Sequence, residues 1–315
     1  MVGMKIASRR AFPRFALLVF LIACATDSLA EEPKTNTPDG PDRIGQRARG
    51  DGVVRTFHIG NSLTDTVDGW LAPMAQSAGR TLEFHRFTIP GAPTDWLWDH
   101  PGGGFGDSRY AEAFTALAPI DHLVTQPFAG HDRSIENEAE YSGRFFDLCR
   151  RHSPEARLWL YAQWPGKRFD DNWSRARGSA SPLGLKPAPT WQDGAANQRA
   201  YVAAVRDRLD AAHAGRAVRI VPAGSALAAL KTRIEAGRVP GMRDFFAATF
   251  ADDLHLNAQG RYLVALVHYA CIFGESPADR VGALTTGLTP DQARIFQEIA
   301  WETVRDDPWA GIAGR

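Results

Sequence analysis

Apolar and polar positions follow two different periods along most of this chain. Short segments rich in β-branched and aromatic residues fall at 53–60, 81–89 (TLEFHRFTI), 120–126 (IDHLVTQ), 156–163 (ARLWLYAQ) and 217–222 (AVRIVP). Between them the spacing lengthens to three and four, and patterns near 66–78, 109–117, 134–152, 195–213 and 224–237 predict helices. Val202, Val205, Leu209 and Ala212 share one helical face, as do Leu263, Leu266, Ala270 and Phe273. Thr289-Pro290, with Gln292 three residues after the Thr, reads as a capping box with proline at the first helical position. Asn257 reads as the N-cap of a helix that starts at Ala258.

Strands that alternate with helices predict a parallel sheet covered on both faces, because each crossover must be long and right-handed. The segment 81–89 mixes Glu83, His85 and Arg86 into its apolar pattern and belongs at an edge; 53–60 is more continuously apolar and belongs near the centre. The expected fold is α/β: a three-layer α/β/α sandwich with a five-stranded parallel sheet of order 2-1-3-4-5 (flavodoxin-like). It spans 53–307 and leaves a tail at 308–315. Two stretches are long for loops, 90–106 with Trp96, Trp98 and His100, and 164–193 with Trp173 and Trp191. Structureless loops of that length are usually functional or mobile.

Ahead of this domain the pattern changes. Lys5, Arg9, Arg10 and Arg14 precede an apolar run from Phe15 to Ala25, and Ser28-Leu29-Ala30 forms a small-x-small site before Glu31, so 1–30 reads as an export signal. The run is too short for a stable bilayer span, and no transmembrane span is expected in the mature chain. Leu21-Ile22-Ala23-Cys24 resembles a lipobox, which would make the product a lipoprotein anchored through Cys24; cleavage after Ala30 is the preferred reading. Either way the protein is exported, periplasmic or secreted. Residues 31–52 are rich in Pro, Gly and charge and read as a solvated linker.

Composition adds limits. The chain has 315 residues, 44% hydrophobic and 23% charged, which suits one large core. Its formal charge of zero leaves 32 basic against 35 acidic residues once the first thirty are removed, so no basic surplus points to nucleic acid. Cys149 and Cys271 sit in helical patterns that the predicted topology puts on opposite faces of the sheet, so two free thiols are expected. The histidines show no metal-ligand spacing such as His-Glu-x-x-His, so neither a metal nor a cofactor is expected.

The chemistry concentrates where predicted strands end. Gly60-Asn61-Ser62-Leu63-Thr64 follows the first strand, so Ser62 should stand at a strand-to-helix turn, among unpaired backbone N–H groups and the positive end of a helix. Gly60 gives conformational freedom just before it. Asp252 and His255 are three apart, and a single turn would put carboxylate and imidazole on the same side. A neutral imidazole suits the task of base for a serine, with the carboxylate fixing its tautomer. Asp253 is the alternative orienting acid, although its side chain should point one step away. His58, inside a strand, reads as a packed residue. The Gly-x-Ser-x-Gly elbow is absent, since Thr64 holds the fifth place.

Gly60-Asn61-Ser62-Leu63-Thr64 together with Asp252-x-x-His255-Leu256-Asn257 resembles the SGNH hydrolase superfamily, the GDSL-type esterases and lipases, over roughly 53–275. That resemblance implies a three-layer α/β/α fold, with Ser62 as nucleophile, His255 as general base and acid, and Asp252 as its orienting partner. It also implies that Gly91, in Ile89-Pro90-Gly91-Ala92, joins Ser62 in giving backbone N–H groups to an oxyanion hole. The third family block, usually Gly-x-Asn-Asp, is replaced by Thr125-Gln126-Pro127-Phe128, where the Gln126 amide stands in for the Asn. Two functions follow. One is an exported serine esterase acting on a small-molecule or carbohydrate ester, most simply an O-acetyl group, with Trp96, Trp98 and Trp164 either offering flat faces to sugar rings or covering the core under long loops. The other is a binding module that keeps the fold without turnover and holds a glycan on its tryptophan loops.

Overall fold

The computed structural model describes residues 52–106, 109–128, 134–168, 188–213, 217–282 and 284–312. The expected export signal, the expected linker through Asp51, and Trp173 lie outside these. Strand β1 (Val53–Gly60) is buried from Arg55 onward and pairs in parallel with β2 (Thr81–Thr88) on one side and β4 (His122–Thr125) on the other. β5 (Arg157–Tyr161) and β6 (Arg219–Val221) continue the parallel sheet beyond β4. The parallel strands therefore run in the expected order, with 53–60 inside.

The edge differs from expectation. A two-residue strand, β3 (Phe105–Gly106), pairs antiparallel with β2 and makes the sheet six-stranded and mixed, so 81–88 is not the edge. Two residues carry no period to read. Gly106 also takes φ 84°, and a Cβ there would meet Arg86 O at 2.5 Å, so close backbone approach rather than side-chain pattern makes this pairing. The stretch 90–106 is accordingly no structureless loop, since it also holds helix α2 (Thr94–Asp99).

Alternation along the strands divides the core. Phe57, Ile59, Leu123, Leu158 and Leu160 face one layer, covered by α2, α3 (Tyr110–Ala116), α4 (Ile135–His152) and most of α5 (Trp191–Ala212). Val124, Trp159 and Tyr161 face the other, covered by α1 (Leu71–Ser77), α6 (Ala223–Glu235), α7 (Phe245–Thr249), α8 (Ala258–Phe273) and α9 (Pro290–Asp306). This is a three-layer α/β/α sandwich. Each large apolar side chain fully withdrawn from water contributes about 2–3 kcal/mol. Cys149 and Cys271 are buried in the two different layers, both as free thiols.

Helix boundaries follow their caps. Asn257 accepts from the N–H groups of Gln259 and Gly260 at the start of α8, and Thr289 with Gln292 forms the capping box of α9, both as read from sequence. α5 starts at Trp191 rather than 195, because Thr190 and Asp193 form a second capping box that the spacing Thr-x-x-Asp could have disclosed. The pattern at 66–78 is two pieces, a 3-10 turn over Thr64–Val67 and then α1, separated by Gly69 at φ 73°. Residues 308–312, read as part of a tail, pack on the domain: Trp309 O accepts from Ile220 N–H of edge strand β6, and Ala310 and Ile312 are buried.

Three histidines sit in this core. Among the described residues neither ring nitrogen of His58 or His268 has a hydrogen-bond partner, and the two rings lie 5.3 Å apart. His122 Nδ1 accepts from Trp159 Nε1 at 3.0 Å. Burial lowers all three below the usual 6.5, His122 and His268 to about 3. The folded chain therefore refuses protons that the unfolded chain binds once pH falls below about 6.5, so stability is full above that pH and declines towards pH 3. Each ring contributes a slope of roughly 1.4 kcal/mol per pH unit in that window. Unfolding free energies from urea denaturation between pH 7 and 4.5 are expected to fall less steeply in His268→Leu by that amount; parallel curves would contradict it.

Candidate active site

Gly60 closes β1, and its lack of a side chain is a matter of room: a Cβ there would lie 2.1 Å from Thr64 Oγ1 and 2.7 Å from Gln126 Oε1. Its φ is not left-handed, so space rather than conformational freedom selects glycine. The chain then turns at Asn61, whose Oδ1 accepts from Leu63 N–H at 3.0 Å while its carbonyl accepts from Thr64 N–H at 2.9 Å. Ser62 rides on this turn, half-buried. The helix after it is one 3-10 turn and not the long α-helix expected, so the local N–H groups, not a helix dipole, shape the field at Ser62. Among the described residues Ser62 N–H makes no hydrogen bond.

Opposite stands the turn from Phe250 to Leu256, closed by an antiparallel bridge between those two residues. Asp252 Oδ1 accepts from the N–H groups of Leu254 at 2.7 Å and His255 at 2.6 Å. Its Oδ2 meets His255 Nδ1 at 2.8 Å, and His255 Nε2 lies 3.0 Å from Ser62 Oγ. The N–H of His255, the N–H of Leu254 and then the His255 ring bring the Asp252 carboxyl down to about 2. Asp252 is thus ionised at any ordinary pH and keeps the Nδ1 proton facing it. Asp253 turns away and pairs with Arg168 at 3.4 Å, both of them exposed. His255 and Asp252 keep 45% and 58% of their side-chain surface open, so the imidazole is accessible from solvent.

Gly91 belongs to a turn in which Ala92 N–H donates to Ile89 O, with Pro90 second and Gly91 third at φ 71°, the type II pattern that requires glycine. Ile89 N–H donates to Gly60 O at 3.1 Å, which ties this turn to the Ser62 turn. Among the described residues Gly91 N–H has no partner. Gln126 is 1% exposed; its Oε1 accepts from Asn61 N–H at 3.3 Å and from the Thr64 hydroxyl, and its Nε2 donates to Gln163 Oε1. The amide expected to face an oxyanion is therefore engaged beneath the Ser62 turn, and Gln163, which no spacing singled out, fixes its orientation.

The tryptophans separate. Trp164 is 1% exposed and cannot offer a face to a ligand; its Nε1 donates to Leu254 O at 3.0 Å, bracing the His255 turn from below. Lys167 N–H adds a bond to Asp253 O at 2.7 Å, and Gly166 lies so close that a Cβ would be 2.9 Å from the same oxygen. Trp191 is buried and donates to Pro165 O and Gly166 O. Trp98 packs edge-on to Phe145 and stacks on Tyr110, with Arg144 above it, so it too is framework. Trp96 alone of those four is open, at 50% exposure, stacked on His100 at 3.9 Å. A single sequence cannot distinguish these fates, since all four are aromatic residues in or beside long loops.

Among the described residues no group of three or more His, Cys, Asp or Glu side chains is placed to hold a metal ion, and no helix is long and apolar enough to cross a membrane. A cavity of about 520 Å³ at the opposite end of the sheet, lined by Arg80, Asp121, His122 and Arg157, includes none of the residues above.

Solved structures match parts of this chain. A DUF4886 family protein from Bacteroides uniformis matches with a TM-score of 0.55 at 16% identity, over 80% of this chain and 95% of that one. A protein from Slackia heliotrinireducens provisionally described as an SGNH hydrolase matches at 19% identity and a TM-score of 0.41, over 69% and 97%. Est24, a carbohydrate acetylesterase from Sinorhizobium meliloti, matches at 14% identity and a TM-score of 0.42, over 70% and 97%. The likeness to the first of these, the one with a TM-score above 0.5, is a likeness of fold. Neither the protein-family models nor the curated proteins gave a match.

Trp164→Phe removes the donor to Leu254 O and part of a buried side chain, and is expected to lower stability by about 1–3 kcal/mol. Trp96→Ala, at an exposed site, should change it by no more than about 0.5 kcal/mol. Urea denaturation of both variants checks the contrast.

Proposed function

We propose that this chain is an exported serine esterase of the SGNH type, and that it hydrolyses an O-acyl ester on a carbohydrate, with acetyl as the acyl group. The observation that carries the reading is the file of three groups: Ser62 Oγ 3.0 Å from His255 Nε2, and His255 Nδ1 2.8 Å from Asp252 Oδ2. Those spacings meet the geometric requirement for a nucleophile, its base and the group that orients the base.

In this mechanism Ser62 Oγ attacks the ester carbonyl carbon while its proton passes to His255 Nε2. The carbonyl oxygen becomes an oxyanion, held by the N–H groups of Ser62 and Gly91. Asp252, ionised and bonded at Nδ1, stabilises the imidazolium without taking its proton. The tetrahedral species collapses by breaking the bond to the alcohol, which leaves with the proton from Nε2. Water then gives a proton to His255, attacks the acyl-serine, and releases the carboxylic acid as Ser62 regains its proton. Gln126 acts beneath the turn in this reading, through Asn61 and Thr64. A hole short of one side-chain donor typically loses on the order of a hundredfold in turnover, so a modest kcat is expected.

The sugar side of the proposal rests on Trp96, exposed and stacked on His100, in the segment that directly follows the Gly91 turn. Flat aromatic faces suit sugar rings, with their apolar C–H surfaces, better than flexible acyl chains. Export rests on the N-terminal pattern, with Glu31 as the first mature residue.

With p-nitrophenyl acetate, Ser62→Ala and His255→Ala are each expected to reduce kcat by roughly 10⁴-fold or more, and Asp252→Asn by a similar order. A fluorophosphonate probe should label the wild-type protein at Ser62. Undiminished turnover in the Ser62 or His255 variant would end the assignment, and glycan binding without labelling would leave a binding module. The mature protein, purified from its host, should begin at Glu31 by mass spectrometry; a diacylglyceryl Cys24 would refute that cleavage.

A further inference from the structure

The Ser62 and His255 turns come from opposite ends of the domain, and something directional has to register one against the other. Apolar packing of Leu63 and Val67 into the core is non-directional and leaves a turn free to slide by an ångström. Arg261 supplies direction. From the first turn of α8 its Nε donates to Thr66 O at 3.0 Å, and its Nη2 donates to Asp65 O at 3.0 Å and Asp68 O at 2.9 Å. Those three carbonyls end the 3-10 turn that begins two residues after Ser62.

The other end of this link is equally fixed. Arg261 N–H donates to Asn257 O, and Asn257, two residues after His255, is the N-cap of α8. Asn257 is itself pinned: its N–H donates to Thr249 O at 3.0 Å and its Nδ2 to Ala248 O at 3.1 Å. Gly260 lies so near that a Cβ would stand 2.4 Å from Thr249 O. A planar guanidinium with its donors in a rigid fork thus spans the two halves of the site, while its side chain starts from a helix end held by those bonds. On the far side of the same turn, Arg86 holds the carboxylates of Asp65 and Asp68 from β2.

We propose that Arg261 is a positioning residue, which sets the Ser62–His255 spacing by clamping the nucleophile turn to the helix that follows the histidine. Its kinetic consequence rests on the esterase reading; its structural consequence does not. A misplacement of about 1 Å between reacting groups costs on the order of a hundredfold in rate.

The test compares Arg261→Met and Arg261→Lys with Arg199→Met. Arg199 forms a similarly buried pair, with Asp307, away from the Ser62 turn. On p-nitrophenyl acetate Arg261→Met should lose roughly 30- to 100-fold in kcat with KM within about twofold, and Arg261→Lys should fall between it and wild type. Added guanidinium ion should restore part of the kcat of Arg261→Ala, and Arg199→Met should keep its kcat within about twofold even where its Tm falls as far. Amide hydrogen exchange at 63–68 should quicken about tenfold or more in Arg261→Met and not in Arg199→Met. A folded Arg261→Met with wild-type kcat and wild-type exchange overturns the proposal, as does an equal kcat loss in Arg199→Met. If the wild-type protein neither turns over ester nor takes the fluorophosphonate, while exchange still quickens in Arg261→Met, the clamp stands and the esterase reading falls.

Discussion

The contact between Ser62 Oγ and His255 Nε2 joins residues 193 positions apart, and two separately built turns have to meet for it to form. Hydrogen bonds between half-exposed groups are individually worth little, because water competes for both partners. The pair therefore cannot hold itself. Its geometry is imposed by the turns that carry the two residues: buried polar groups under Ser62, and backbone hydrogen bonds together with a buried tryptophan under His255.

Two such frames meet at the site. Under Ser62, Gly60 leaves no room for a side chain, and Gln126 gathers Asn61 N–H and the Thr64 hydroxyl on one oxygen while Gln163 orients its amide. A low-dielectric setting strengthens each of these bonds and makes any broken one costly, so the turn is stiff. Under His255, Asp252 folds the turn on itself through two backbone N–H groups, and Trp164 and Lys167 hold the carbonyls that face inward. The sheet places both frames at the carboxyl ends of parallel strands, where open α/β folds present their ligand sites.

The same division explains the fate of the aromatics. Trp98, Trp164 and Trp191 are large enough to fill the space under long connections, and two of them spend their indole N–H on backbone carbonyls that would otherwise be stranded. Trp96 lies on the outer side of a six-residue helix, where packing asks nothing of it. The buried histidines follow a similar rule: His58 and His268 are accommodated as neutral rings against Phe84 and Tyr161, and His122 as the acceptor for Trp159.

The sequence by itself determined the parallel order of five strands, the layers, and the caps of α8 and α9, and it singled out Ser62, Asp252 and His255 as candidates, because periodicity, capping boxes and short motifs are local patterns. It did not disclose β3, whose two residues are too few to carry a period and whose pairing depends on a glycine's close approach to Arg86. Nor could it assign Gln126, since whether an amide faces a ligand or lies beneath a turn depends on Gln163 and Thr64, neighbours only in space. Trp164 and Arg261 were illegible for the same reason: their partners are backbone carbonyls, which every residue carries. Only the tertiary structure decides which of those carbonyls comes within reach of a donor, because that is set by how the layers pack and not by any side chain along the way.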